Sequence, residues 1–380
     1  MSFSQYRRFF PITETDIYLN HAAISPLSTK VKDKVADYLE MRMKNEGDLY
    51  TCLVEEHKKL KGNLAKLING EPENIAIVTN TSEGLNWLAN GLQWKAGDKI
   101  LLFENEFPSN IYPFLNLKRY NVEVVFIPQR NGKIYLEDIE KRIDERTKLL
   151  SVSFVEFLNG FRNDLEAIGL LCKKYGTLFS VDGIQGVGAL PLDVKAAHID
   201  FLSNGGHKWL MGPEGCGFIY LTPDLQKTMI PVFAGWLSVK DSWNFTDYKL
   251  DFLEDACKYE IGTPNFMGII GAGAATDLLT EISPVHIEKH LLKLGDMLID
   301  RLSEYGLDYI GSEIQEERSG IYSFVIKDAE DMFNYLQHRR IHISLRNNAL
   351  RISPHFYNSM SEIEEFIRMC RNYITREARS

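Results

Sequence analysis

Cysteine is scarce in this 380-residue chain: Cys52, Cys172, Cys216, Cys257 and Cys370 are the five, and no two form a C-x-x-C pair. An odd, scattered set in a chain this long argues against a disulfide framework and reads as thiols kept reduced in a cytoplasmic setting. No basic run appears and the formal charge is −9, whereas phosphate backbones demand a basic face, so nucleic acid is not an expected partner. No apolar stretch approaches the roughly 20 residues of a membrane helix. The N-terminal segment lacks the apolar core of a signal peptide. A soluble cytoplasmic protein, with no membrane partner, is therefore expected. Also missing are internal repeats, low-complexity tracts, a phosphate-loop G-x-x-x-x-G-K-[ST] and a G-x-S-x-G elbow.

What is present suits an ordinary core, with 44% hydrophobic and 25% charged residues. Short apolar runs recur: "IAIVT" (75–79), "KILLF" (99–103), "VEVVFI" (122–127), "KLLSVSFV" (148–155), "LFSVDG" (178–183), the start of "FLSNGGHKWLMG" (201–212) and "GFIYL" (217–221). Helix-like segments separate most of them, which implies βαβ units and a mostly parallel α/β sheet. Residues 1–259 are expected to form this large domain. Residues 260–380 read as a smaller α+β domain with helices at "MGIIGAGAATDLLTEI" and "SEIEEFIRMCRNYI" and short strands at "GIYSFVIK", "IHISL" and "ALRIS".

Open α/β sheets bind ligands at the carboxyl ends of their strands, and three such ends carry polar chemistry. In "VTNTSEGLNWL", Thr81 and Ser82 stand where a strand gives way to a helix, and a helix N-terminus favours anions; plain capping by either hydroxyl is the simpler alternative. In "FSVDGIQGVGALPLDV", Asp182 ends an apolar strand with Gln185 three residues on; a buried carboxylate there needs a cationic partner, although a turn-forming aspartate before Gly183 accounts for it equally well. Lys208 lies one strand further, after His207, between that strand and a glycine-rich turn. A partly desolvated lysine is a nucleophile, while an isolated one more often snorkels to solvent. Taken together, an anion site, a carboxylate and an amine match the phosphate, the ring nitrogen and the aldehyde of pyridoxal 5′-phosphate, held as a lysine Schiff base.

The segment "VDGIQGVGALPLDVKAAHIDFLSNGGHKWLMGPEGCGFIYL" closely resembles the cofactor segment of class V aminotransferases, a group that includes cysteine desulfurases, kynureninases and isopenicillin N epimerase-like enzymes. The resemblance runs from "YLNHAAISPLS" through "YEIGTPNFMGIIGAGAA" to "LRISPHFYNSMSEI". It implies the type I pyridoxal-phosphate transferase fold, with a large mostly parallel-sheet domain and a smaller C-terminal α+β domain. It also implies roles. Lys208 would carry the cofactor and move protons, Asp182 would keep the ring nitrogen protonated, and Gln185 would bond the ring oxygen. Thr81, Ser82 and His207 would surround the phosphate, and Phe107 would stack on the ring. Trp236 and Thr263 would reach the phosphate of a neighbouring subunit, implying a homodimer with shared active sites; Arg351 would clamp the α-carboxylate of a small amino-acid substrate. Arg346, with Asn20 and His21, would contribute to substrate selection.

Three departures qualify the resemblance. Gly205 replaces a serine common in desulfurases, and Phe157, beside Glu156 and Asn159, stands where they have an asparagine. No cysteine lies between Cys257 and Cys370, the interval in which desulfurases carry their catalytic thiol. Transamination is therefore the expected reaction, with epimerisation or a β- or γ-elimination as the alternative, and a silent cofactor-binding protein as a reading of a different class. Of the remaining patterns, "HIEKH" places His286 and His290 four apart without a third metal ligand, and reads as a solvated helix face; no metal is expected. "GAGAAT" (271–276) mimics a dinucleotide fingerprint but belongs inside a helix.

Overall fold

Seven runs pair into one sheet in the order Ile75–Val78, Gly217–Leu221, Phe201–Gly205, Leu178–Asp182, Thr147–Ser153, Lys99–Phe103, Glu123–Ile127. Only Gly217–Leu221 runs antiparallel to its neighbours; the other pairings are parallel. The unbroken apolar runs of the inner strands follow from burial on both faces, whereas Glu123–Ile127, at the sheet edge, is largely exposed or half-buried. Leu101 and Phe103 join one apolar cluster while Ile100 and Leu102 join another on the opposite face. The chain is described by a computed structural model over residues 3–45 and 48–377.

A second, four-stranded antiparallel sheet has the order Ser344–Arg346, Ala349–Ile352, Tyr322–Val325, Asp308–Tyr309. Helices Pro284–Ser303, Ala329–Gln337 and Met360–Glu377 cover it through Leu294, Leu298, Leu336, Ile363 and Phe366. The run "IHISL" is split: Ile341–His342 pairs with Ile17–Tyr18, and Ser344–Arg346 pairs with Ala349–Ile352, because the chain changes partner at Ile343. Asn347 and Asn348 both take positive φ, 46° and 61°, which suits the two-residue turn of a hairpin and pins its register.

The helix Phe266–Ile282 packs on Thr29–Lys44 and Leu49–Ile68, and its Ile269, Leu278 and Leu279 join the core beside the large sheet. It contains "GAGAAT", so that motif is helical, as expected. The N-terminal segment is a strap between the two sheets. Ile17 pairs with Ile341, the His21 amide donates to Ser353 O at 3.1 Å, and Ser25 Oγ donates to Lys208 O at 2.6 Å.

Candidate active site

The carboxyl ends of Ile75–Val78, Leu178–Asp182 and Phe201–Gly205 open onto a cavity of about 310 Å³. Thr81, Ser82, Phe107, Gln185, His207, Lys208, Arg346 and Arg351 all line it. Asn80, Ser109 and Phe157 also contribute, whereas no cysteine, aspartate or glutamate among the described residues does.

At one end of the cavity the helix Thr81–Gly91 begins. Its cap is Asn80, whose side chain accepts from Glu83 N at 2.9 Å. Sequence reasoning set anion binding by Thr81 and Ser82 against capping by them; with Asn80 as the cap, their hydroxyls are left for other work. Thr81 Oγ1 is buried with no hydrogen-bond partner, and Ser82 Oγ lies 2.8 Å from Ser109 Oγ. The helix sits close to the sheet because position 84 is glycine: a Cβ there would fall 2.1 Å from Ser203 Oγ. Ser203 Oγ in turn donates to Thr81 O at 3.0 Å. His207, lining the same end, has its imidazole pKa lowered by burial and by the charge of Lys208.

Beneath the lining and close to Lys208, Asp182 is fully buried between Ser153 and Ser203, its register partners on either side. Oδ1 accepts from Ile184 N at 3.0 Å, and Oδ2 has no partner. Burial pushes this carboxyl up to about 6, against the pull of the Ile184 amide and Lys208. Behind it lie two more buried carboxyls. Glu106 accepts from Ser153 N at 2.7 Å and Ser153 Oγ at 2.5 Å. Glu156 accepts from Asn163 Nδ2 at 2.8 Å and Gln129 Nε2 at 2.9 Å. Burial raises both, Glu156 to about 7, and each is raised further by carboxylate neighbours.

Lys208 is pinned through its own carbonyl by Ser25. The preceding turn needs glycine at 206, where a Cβ would meet Cys216 O at 2.3 Å. Burial lowers the Lys208 ammonium to about 8; Asp182 opposes this, while Arg351 and Arg346 add to it. Its Nζ lies 5.5 Å from the Phe107 ring centre, and Phe107 packs edge-on to Phe157 at 5.4 Å. Gln185 is held at both ends, donating from Nε2 to Ala22 O at 3.0 Å and accepting from Trp209 Nε1 at 2.9 Å. One amide N–H remains for a ligand.

Arg351 is 2% exposed, yet no carboxylate among the described residues pairs with it. Nη1 donates to Phe157 O at 2.8 Å, Nη2 to Ser344 Oγ at 3.5 Å, and Nε has no partner. A buried guanidinium left this way calls for an anion. Burial, with Arg346 nearby, lowers it to about 10.

Other expected residues lie elsewhere. His21 is fully buried and does not line the cavity: its ring nitrogens are engaged by Ser353 O and Tyr357 Oη, each at 2.8 Å. Asn20 is also absent from the lining, its Oδ1 accepting from Ser344 Oγ. Trp236 lies with Gly262 and the exposed Thr263 outside the cavity, among Trp243, Phe245 and Tyr50. His290 is not on a solvated face: it is half-buried, with Nε2 2.8 Å from Asn358 O and its ring against Phe3. Among the described residues no cluster is fit to hold a metal ion, and no helix is long and apolar enough to cross a membrane. Sequence reasoning missed Asn80, Ser109, Ser25 and Trp209. Of these Asn80 was detectable, since an asparagine three residues before a glutamate at a strand-to-helix junction is a capping signature.

Three buried polar atoms at this site have no hydrogen-bond partner: Thr81 Oγ1 and Arg351 Nε, on residues that line the cavity, and Asp182 Oδ2 beneath it. Residues 17–366 match the family described as Aminotransferase class-V. The chain is 28% identical to an uncharacterized aminotransferase of Bacillus subtilis, over 96% of each chain. It is 31% identical to a probable cysteine desulfurase of Pyrococcus abyssi, over 95% of each. Among solved structures, a cysteine desulfurase from Thermococcus onnurineus superposes with a TM-score of 0.91 at 27% identity, covering 99% of this chain and 98% of that one. The cystine C–S lyase C-DES, at 21% identity over 95% of this chain and 98% of that one, shares the fold with a TM-score of 0.88.

Proposed function

This chain belongs to the class-V aminotransferase family, with its type I fold and its pyridoxal 5′-phosphate cofactor, and on that premise we propose that it is an aminotransferase acting at the α-carbon of a small amino acid. Thr81, Ser82, His207 and the free amides at the helix start would hold the phosphate. Asp182 Oδ2 would accept from the ring nitrogen, Gln185 would donate to the ring oxygen, Phe107 would cover one face of the ring, and Lys208 would be the covalent anchor. Bound there, the group supplies an electron sink for the pair left on the α-carbon when its proton is removed. Arg351 orients the substrate by its carboxylate, through the two-pronged geometry of guanidinium. Lys208 Nζ, held near 8 by burial, takes the α-proton and returns it.

The observation that carries transamination over thiol-dependent desulfuration is the hairpin ahead of Arg351. It turns on Asn347 and Asn348 alone and presents no cysteine. Cys172, Cys216 and Cys370 are buried, with burial pushing Cys172 and Cys216 to about 12 and Cys370 up as well. The Pyrococcus abyssi relative, a probable cysteine desulfurase, supports a sulfur amino acid as substrate; with no cysteine on the hairpin, the second reading is elimination from such a substrate without a protein persulfide. We further propose a homodimer, with Trp236 and Thr263 of each subunit reaching the other's site.

Single-turnover mixing of the cofactor-loaded protein with a panel of amino acids tests both readings. Transamination converts the cofactor's visible spectrum to that of the amine form and yields one keto acid per site. Elimination releases keto acid and ammonia repeatedly with the spectrum restored, and a sulfur substrate gives sulfide. No spectral change and no product with any amino acid would leave a silent binder. A persulfide mass on one cysteine, with loss of turnover when that residue alone is replaced, would reinstate desulfuration.

A further inference from the structure

We propose that the substrate carries a second carboxylate on its side chain, a dicarboxylic amino acid, and that Arg346 is the residue that binds it; this rests on the reading of Arg351 as the α-carboxylate clamp. Hairpin register sets the spacing of the two arginines. Ser344 pairs with Arg351 and Arg346 pairs with Ala349. Side chains two apart on a strand share a face, and directly paired residues share it too. Arg346 and Arg351 are therefore diagonal neighbours on one face of the ribbon, roughly 7–8 Å apart. The tight Asn347–Asn348 turn leaves no slack in that spacing.

Both arginines line the cavity that holds Lys208, and no aspartate or glutamate among the described residues lines it with them. Neither has an ion-pair partner among the described residues. Like charges on one face of a hairpin are destabilising without compensation, and these are close enough for Arg346 to depress both Arg351 and Lys208. The helix start takes the phosphate and Arg351 takes the α-carboxylate, so the charge of Arg346 remains unmatched. It is exposed at the mouth while Arg351 is buried. A substrate anchored at Arg351 would thus place its distal end toward Arg346. A planar carboxylate is the group whose two oxygens match a guanidinium fork.

Calorimetric titration of the cofactor-loaded protein with unreactive acids tests this without turnover. Succinate and glutarate are compared with propionate and butyrate, on wild type, Arg346→Gln and Arg351→Gln. The expected result is at least about tenfold tighter binding of one dicarboxylate than of its monocarboxylate counterpart, reduced to parity in Arg346→Gln, with monocarboxylate binding unchanged there. Arg346 is exposed, so the substitution leaves the core intact, and a thermal melt checks it. Equal binding of the two acid classes by wild type overturns the proposal. So does a dicarboxylate preference that survives Arg346→Gln, or a loss of monocarboxylate affinity in that variant, which would put both arginines on one carboxylate. In each of these cases weaker binding of all four acids by Arg351→Gln would leave the clamp standing. If Arg351→Gln changes nothing, or no acid binds, the clamp itself falls.

Discussion

At the scale of single residues, Lys208 and Asp182 divide the electrostatic work. Asp182 needs a proton-bearing partner and Lys208 needs to be free of its proton, and the same burial supplies both pressures. Only a neutral amine attacks an aldehyde. The rate at which cofactor-free protein takes up pyridoxal phosphate should therefore climb about tenfold per pH unit below about 8 and level off above it, whereas an unperturbed lysine would go on climbing past pH 10. Stopped-flow absorbance over pH 6–10 reads the plateau directly. Lys208→Ala should lose the absorbance of covalently held cofactor and lower turnover by at least about 100-fold, with an unchanged far-ultraviolet circular dichroism spectrum. Full turnover in that variant would remove Lys208 from the mechanism.

At the scale of elements, the helix Thr81–Gly91 is held by what it lacks. Gly84 lets it rest against Ser203 and Ile219, whose atoms would lie 2.1 and 2.5 Å from any Cβ. Gly84→Ala should cost about 1–3 kcal/mol of stability, as overpacking does, and should weaken cofactor affinity because the displaced helix start carries Thr81 and Ser82. Calorimetric melting and cofactor titration of the same variant check both effects; tight cofactor binding in a destabilised variant would separate the helix position from the phosphate site. The helix itself was legible from "NTSEGLNWL", and the strands from apolar runs buried on both faces. Lys208, Asp182 and Gln185 were legible for a related reason: a polar residue at the end of such a run is costly to bury unless a ligand or a partner meets it. His21 was not, because its partners Ser353 and Tyr357 are more than 300 positions away, and nothing local says that its ring is already satisfied. The break in "IHISL" was hidden likewise, since a strand's change of partner depends on where another segment lies. The diagonal relation of Arg346 and Arg351 falls between: the Asn-Asn turn signals a hairpin, but only register sets the face.

At the scale of the molecule, three carboxyls are buried together, and none is ion-paired with a lysine or arginine among the described residues. Glu156 is raised from 4.5 to about 7 and Asp182 from 3.8 to about 6, so the folded state holds protons that the unfolded chain has released. Their favourable contribution is complete below about pH 4 and disappears as pH rises through 6 and 7. Urea unfolding of the cofactor-free protein should show stability declining over that window, and Glu156→Gln should flatten the decline; a steeper decline in the variant would contradict the burial argument. The exposed cluster of Trp236, Trp243, Phe245 and Tyr50 makes a second whole-molecule expectation. Sedimentation should give a dimer, and Trp243→Lys should shift it toward monomer with weaker cofactor binding; a monomeric wild type with full activity would exclude shared sites. The N-terminal strap adds a matter of timing. Ribosomes deliver roughly 5–20 residues per second, and the strap's partner Ser353 lies 332 positions after His21. Tens of seconds therefore pass between the birth of residue 21 and that of the residue it must meet. During that interval the large sheet can fold, but the segment that steadies Lys208 and Gln185 has no second anchor. Nascent chains should consequently not capture the cofactor firmly, and loading belongs to the finished polypeptide.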